Sequence, residues 1–107
     1  MISRLDPGAV AAWRDDPARE PPVLVDVRED WERAICAIDG ALALPMQEVA
    51  RRVGELPRER ELVIVCHSGR RSAAVASWLG QQGYRAHNLE GGVDAWARTV
   101  DPSMRRY

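Results

Sequence analysis

Cys66 heads the heptapeptide Cys66-His67-Ser68-Gly69-Arg70-Arg71-Ser72, directly after the apolar run Leu62-Val63-Ile64-Val65. A cysteine is a nucleophile as its thiolate, and three features of this stretch favour that form. Loop N–H groups and the start of a following helix supply positive dipole ends. Arg70 and Arg71 supply charge. Gly69 permits the positive φ or close backbone approach of a curled anion-binding loop, and Ser72 is suited to cap the helix. Each feature alone fits a buried structural cysteine equally well. Their concentration at one strand-to-helix switch points to covalent chemistry on sulfur.

The flanking sequence supplies the elements that would hold this loop. Leu62 to Val65 reads as a buried strand, and Ser72 to about Gln82 as a helix with Val75, Trp78 and Leu79 on one face and Gly83 as its stop. Upstream, Asp6-Pro7 opens a helix to Trp13 or Arg14, and the segment 15–22 is a polar, proline-rich loop. Val23 to Val27 is a strand, Asp30 to Ile35 a short helix and Ala41 to Leu44 a short strand. Met46 to Leu56 shows one apolar stripe of helical spacing. Arg85 to Leu89 is a final strand and Val93 to Arg98 a final helix. Alternating strands and helices predict an α/β class with a mostly parallel central sheet of about five strands and helices on both faces.

A chain of 107 residues makes one domain, with its core in about residues 2–99 and a short polar tail over 100–107. The formal charge of −1 argues against nucleic acid as a partner. No spanning helix or signal-peptide core is visible, so a cytoplasmic location is expected. A monomer is the default. Two cysteines and two histidines show no zinc-site spacing, and no cofactor motif is present, so neither metal nor cofactor is expected. All 15 basic residues are arginine, spread along the chain. Between Leu62 and Leu89 there is no acidic residue, and Arg70, Arg71 and Arg85 give that segment a charge of +3. A positive setting would favour a thiolate and an anionic substrate.

Four segments resemble the rhodanese family of single-domain sulfurtransferases. Leu24-Val25-Asp26-Val27-Arg28-Glu29 is similar to the family's opening strand with its Asp-x-Arg-Glu pattern, and Glu32 follows at the expected place. Ile38-Asp39-Gly40-Ala41 is similar to the Ile-x-Gly-Ala before the next strand. Cys66-x-x-Gly69-x-Arg71-Ser72 matches the catalytic loop, and Leu89 to Trp96 matches the closing Gly-Gly-x-x-x-Trp element. The resemblance implies that Cys66 takes the outer sulfur of a small anionic donor such as thiosulfate. The resulting persulfide, held by amides of residues 67 to 71, passes its sulfur to cyanide or to a thiol acceptor, either a small molecule or a thioredoxin-like protein. A persulfide carrier between proteins is the alternative. Phosphatases of the same fold carry Cys-x5-Arg; the Cys66-x4-Arg71 spacing implies a smaller ring, suited to sulfur.

Individual residues divide by role. Arg70 is expected to face outward and attract an anion, and Arg71 to close the loop structurally. His67 either accepts a proton or steers an anion, or else fills the loop with its ring in solvent. Ser68 fits a small loop residue better than a persulfide ligand. Asp26 and Arg28 fit structural hydrogen bonding, because thiolate attack on sulfur moves few protons. Cys36 fits packing better than a resolving role. Family members often carry Gly-His where this chain has Cys36-Ala37, so any role of that histidine is missing. His87 and the tryptophans read as packing residues.

Overall fold

The computed structural model describes residues 3–107. Met1 and Ile2, the latter at the expected start of the core, lie outside the described residues. Five strands form one parallel sheet: β1 (Ser3–Leu5), β2 (Val23–Asp26), β3 (Leu42–Ala43), β4 (Glu61–Val65) and β5 (Arg85–Leu89), in the order β1-β5-β4-β2-β3. Helices α1 (Pro7–Asp15), α2 (Asp30–Ile35), α3 (Val49–Arg52), α4 (Arg70–Gln81) and α5 (Gly92–Thr99) connect or follow them.

Strand periodicity divides the core into two layers. Leu62 and Ile64 of β4, and Cys66 directly after it, face Val75, Ala76 and Leu79 of α4 and Val49 of α3. The alternate residues Val63 and Val65 face Val10 and Trp13 of α1 and Val93 and Trp96 of α5. Leu62 through Val65 are all fully buried, as a sheet covered on both faces requires. Each such side chain stabilises the fold by roughly 1.5–3 kcal/mol relative to exposure. Helix α1 starts as expected: the Asp6 carboxylate accepts from the Ala9 N–H at 2.8 Å, with Pro7 in the first turn.

Four details differ from the sequence expectation. The expected helix over 46–56 is broken into 3₁₀ turns Met46–Glu48 and Val53–Glu55 around the single α-turn of α3. β1 is an additional strand, short and exposed, on the edge beside β5. The strand expected over Ala41 to Leu44 contracts to Leu42–Ala43. Most important for the site, α4 begins at Arg70, two residues early, so Arg70 and Arg71 belong to its first turn. Gly69 is the N-cap residue, at φ 99°, and makes no side-chain cap bond. Ser72 therefore does not cap the helix.

Candidate active site

Cys66 follows β4 directly, on the edge of the sheet where Asp26 ends β2 and Leu89 ends β5. Carboxyl ends of parallel strands are where such sheets place their sites. The Cys66 residue is 1 % exposed. Its Sγ accepts from the Gly69 N–H at 3.1 Å, and the Ser72 hydroxyl lies 3.2 Å away.

The loop is shaped by what its carbonyls do. Val93 N–H at the start of α5 donates to Cys66 O at 2.9 Å, and Asp94 N–H to His67 O at 3.1 Å. Gly69 O accepts from Ala73 N–H at 3.2 Å and from Asn88 Nδ2 at 3.1 Å. With three carbonyls engaged away from the sulfur, the Gly69 N–H is free to point at it. The approach of α5 needs glycine at 92, where φ is 60° and a Cβ would lie 2.4 Å from both Cys66 O and His67 O. The Gly91-Gly92 pair is thus the floor of the loop, and Trp96 anchors the helix in the core behind it.

Ser72 Oγ has one proton and two acceptors. Asn88 Oδ1 lies 2.5 Å from it, and the Asn88 amide orientation is fixed by its bond to Gly69 O. With the hydroxyl proton on Asn88, a thiol proton on Cys66 is donated to Oγ. With a thiolate, the same hydroxyl turns to donate to Sγ. Ser72 and Asn88 are both buried, so this alternation is sheltered from water.

A second, ionic layer lies beside the loop. Arg71 donates bidentately to Glu32, Nη1 to Oε2 and Nη2 to Oε1, both at 2.7 Å. The Glu29 N–H donates to Glu32 Oε2 at 3.0 Å, and the Tyr107 hydroxyl to Oε1 at 2.9 Å. Glu32 is buried, and the Arg71 hydrogen bonds, outweighing desolvation, hold its pKa down at about 2. Arg28, fully buried, grips Asp26 through Nε and Nη2, reaches the Cys36 carbonyl at 2.8 Å and donates to the Tyr107 hydroxyl at 2.9 Å. Its ion pair with Asp26 keeps it charged despite burial. Desolvation pushes the Tyr107 phenol up to about 12, so it is a neutral donor and acceptor at physiological pH.

These pairings correct the expected positive setting. Arg71 is neutralised by Glu32, and Arg85 lies 3.6 Å from Glu61, each acid standing outside the acid-free segment. Arg70 is exposed on the first turn of α4 and has no ion pair among the described residues. It is an unpaired positive charge beside the loop, facing outward as expected, while Arg71 tethers the loop to α2. The His67 ring is neither free in solvent nor aimed at the sulfur. It stacks on Tyr107, with centroids 4.1 Å apart and planes at 15°. Ser68 is exposed on the loop. Cys36 is a free thiol at the end of α2, 3.8 Å from Arg28 Nη1. His87 packs edge-on against Trp13 and lies 2.7 Å from Glu61, remote from this layer. Among the described residues no three His, Cys, Asp or Glu side chains cluster to hold a metal ion, and no helix is long and apolar enough to cross a membrane.

Sequence reasoning left three contributors unassigned. Asn88 had a signal, a polar residue near the end of a strand in register with buried Ile64. Glu32 had one in its family motif position. Tyr107, 75 residues from its partner Glu32, had none.

Comparison with known proteins agrees with this architecture. The Rhodanese-like domain family matches residues 7–99. A sulfurtransferase of Allochromatium vinosum is 41 % identical over 99 residues, covering 92 % of this chain and 91 % of the relative. The thiosulfate sulfurtransferase GlpE of Shewanella oneidensis is 35 % identical over 74 residues, covering 68 % of this chain and 73 % of the relative. The crystal structure of a rhodanese-like domain protein from Staphylococcus aureus superposes with a TM-score of 0.84 at 28 % identity, covering 99 % of each chain. The chain belongs to the rhodanese-like family, in which the matched relatives from Allochromatium and Shewanella carry the name sulfurtransferase.

Proposed function

We propose that this protein is a sulfurtransferase that carries sulfane sulfur on Cys66, with thiosulfate or a similar small anion as donor and a thiol or cyanide as acceptor. The observation that carries the reading is the polar cradle of the sulfur: one peptide N–H and one hydroxyl within 3.2 Å of a buried Sγ at the start of a helix. Fixed donors of this kind stabilise a charge developing on sulfur without reorganising.

In the first step the Cys66 thiolate attacks the outer sulfur of thiosulfate. A new S–S bond forms, the donor's S–S bond breaks, and sulfite leaves with its electron pair. Cys66 then bears a persulfide anion. In the second step cyanide or a thiolate attacks the terminal sulfur, and the Cys66–sulfur bond breaks to return the thiolate. Two easier displacements replace one, as in covalent catalysis generally. Ser72 follows the charge by turning its proton toward sulfur or toward Asn88. Arg70 draws the anion in, and His67, Ser68, Gly69 and Arg71 shape the loop.

The test is thiocyanate formation from thiosulfate and cyanide, with site-resolved mass analysis for one added sulfur on Cys66. Turnover and persulfide should both vanish in Cys66→Ser. Full activity in that variant, or none in the native chain with thiosulfate and other sulfane donors, refutes the reading. A Cys66 persulfide that forms readily but passes only to a protein thiol would assign the carrier role instead.

A further inference from the structure

Tyr107 is held at the loop from several sides, more than packing of a short polar segment requires. Its ring lies face to face with His67, the neighbour of Cys66, and Trp31 meets it edge-on at 6.1 Å. Its hydroxyl donates to Glu32 Oε1 and accepts from Arg28 Nη1, both at 2.9 Å, so its one proton and an acceptor site are each used. Glu32 in turn is the bidentate partner of Arg71 on the loop helix. The segment leading to it is tied down twice. Met104 packs against the α1–α5 core layer. Arg106 donates to Asp94 at 2.9 Å, the residue whose N–H holds His67 O.

We propose that Tyr107 is a specificity-determining residue: it walls the Cys66 loop on the side of α2, so that small reagents reach the sulfur while bulky ones need residues 105–107 to lift. The ring is the wall and the hydroxyl is the latch. Two facts support a wall rather than a passive tail. The ring covers the side chain of His67, which directly follows Cys66, and Trp31 meets the same ring edge-on. And the phenol joins two buried charged groups, Arg28 and Glu32, whose other bonds already fix their positions, so the latch is anchored to rigid atoms. Lifting it breaks one stack and two charge-assisted hydrogen bonds, a cost that lowers the population open to a bulky partner.

As a statement about sulfur donors this rests on the sulfurtransferase reading, so the primary test does not use turnover. The rates of alkylation of Cys66 by iodoacetamide and by a pyrene maleimide are followed by peptide mass analysis, which separates Cys66 from Cys36. In Tyr107→Ala the pyrene maleimide rate should rise about tenfold, equivalent to 1.4 kcal/mol of lost closure, while the iodoacetamide rate stays within about twofold. Tyr107→Phe keeps the ring and loses the latch, so its pyrene rate should fall between the two. Equal changes with both reagents in Tyr107→Ala, or a Tyr107→Phe rate indistinguishable from the native one, overturn the proposal. Should Tyr107→Ala fail to fold, the Tyr107→Phe comparison decides alone. The ratio of kcat/KM for glutathione persulfide over thiosulfate should rise in the same order. Should alkylation respond as expected while no sulfane donor is turned over, the wall stands and the sulfurtransferase reading falls.

Discussion

Replacing Glu32 by Gln tests the ionic layer that holds the loop to α2. The carboxylate receives four hydrogen bonds, two from Arg71 and one each from the Glu29 N–H and the Tyr107 hydroxyl. Its pKa falls from the ordinary 4.5 to about 2. At about 1.36 kcal/mol per pKa unit, ionised Glu32 contributes up to about 3 kcal/mol to folding. The Arg71 side chain is 35 % exposed, and water screens part of that. Glu32→Gln should therefore destabilise the fold by about 2–3 kcal/mol at neutral pH and lower Tm by roughly 10 °C or more.

The pH dependence separates charge from packing. The folded state holds the Glu32 proton more weakly than the unfolded chain does. Its contribution is complete above the unfolded value of 4.5 and disappears as pH falls toward about 2. Urea unfolding of the native chain and Glu32→Gln should show a stability gap that is constant from neutral pH to about 5, has lost more than half its size near pH 3, and closes toward 2. A gap of the same size at all these pH values would refute the reasoning: the loss would then come from shape or neutral hydrogen bonding, and the Arg71 ion pair would contribute nothing.

Arg70→Ala should raise KM for an anionic donor severalfold with little change in kcat, and the effect should shrink as salt screens the exposed charge; its stability should move by no more than about 0.5 kcal/mol, checked by urea unfolding. Gly92→Ala places a Cβ against two loop carbonyls at a positive φ, so it should cost about 2–4 kcal/mol, read as a lowered Tm, and deform the cysteine loop, read as changed Cys66 alkylation. Ultraviolet titration should show one tyrosine ionising late, near 12, and Tyr107→Phe should remove that component. Because the folded phenol holds its proton more tightly, stability should decline as pH rises from the ordinary value of 10.0 toward 12, and the same substitution should flatten that decline.

The strand-to-helix junction at Cys66 was legible because its signals are local: a run of apolar residues, a glycine, arginines and a serine within a few positions. Helix α4 starts at Arg70 because Gly69 adopts the left-handed conformation as a cap without a side chain, whereas sequence reasoning looks for a hydroxyl or carboxylate cap and selects Ser72. The burial of Ser72 against Sγ then makes a capping serine into a ligand of sulfur. The helix expected over 46–56 failed for a different reason: of its apolar stripe only Val49 is buried and Val53 half-buried, Met46 and Ala50 are exposed, and Val49 and Leu56 both reach the core from a chain of mixed turns. The positive setting was overturned because charge partners are chosen across space. Glu32 lies 39 residues from Arg71, and no window around the loop contains it.

The pairing of these charges decides how the proposed reaction would handle charge. Asp26, Arg28, Glu32 and Arg71 form two ion pairs, so the ionic layer beside Cys66 has no net charge. Stabilisation of a thiolate or persulfide then falls to dipoles: the Gly69 N–H, the Ser72 hydroxyl and the first turn of α4. A full positive charge against the sulfur would hold sulfite or another anionic leaving group after the first step, whereas oriented dipoles act at short range on the atom they touch. Arg70, out on the surface, can attract an anion from solution without gripping it at the sulfur. In this arrangement the ion-paired arginines set the shape of the loop, and the exposed, unpaired one sets the rate of arrival. Arg70→Ala should therefore leave the reactivity of Cys66 toward neutral iodoacetamide intact while slowing thiosulfate, and slowing both equally would show that Arg70 acts on the sulfur itself.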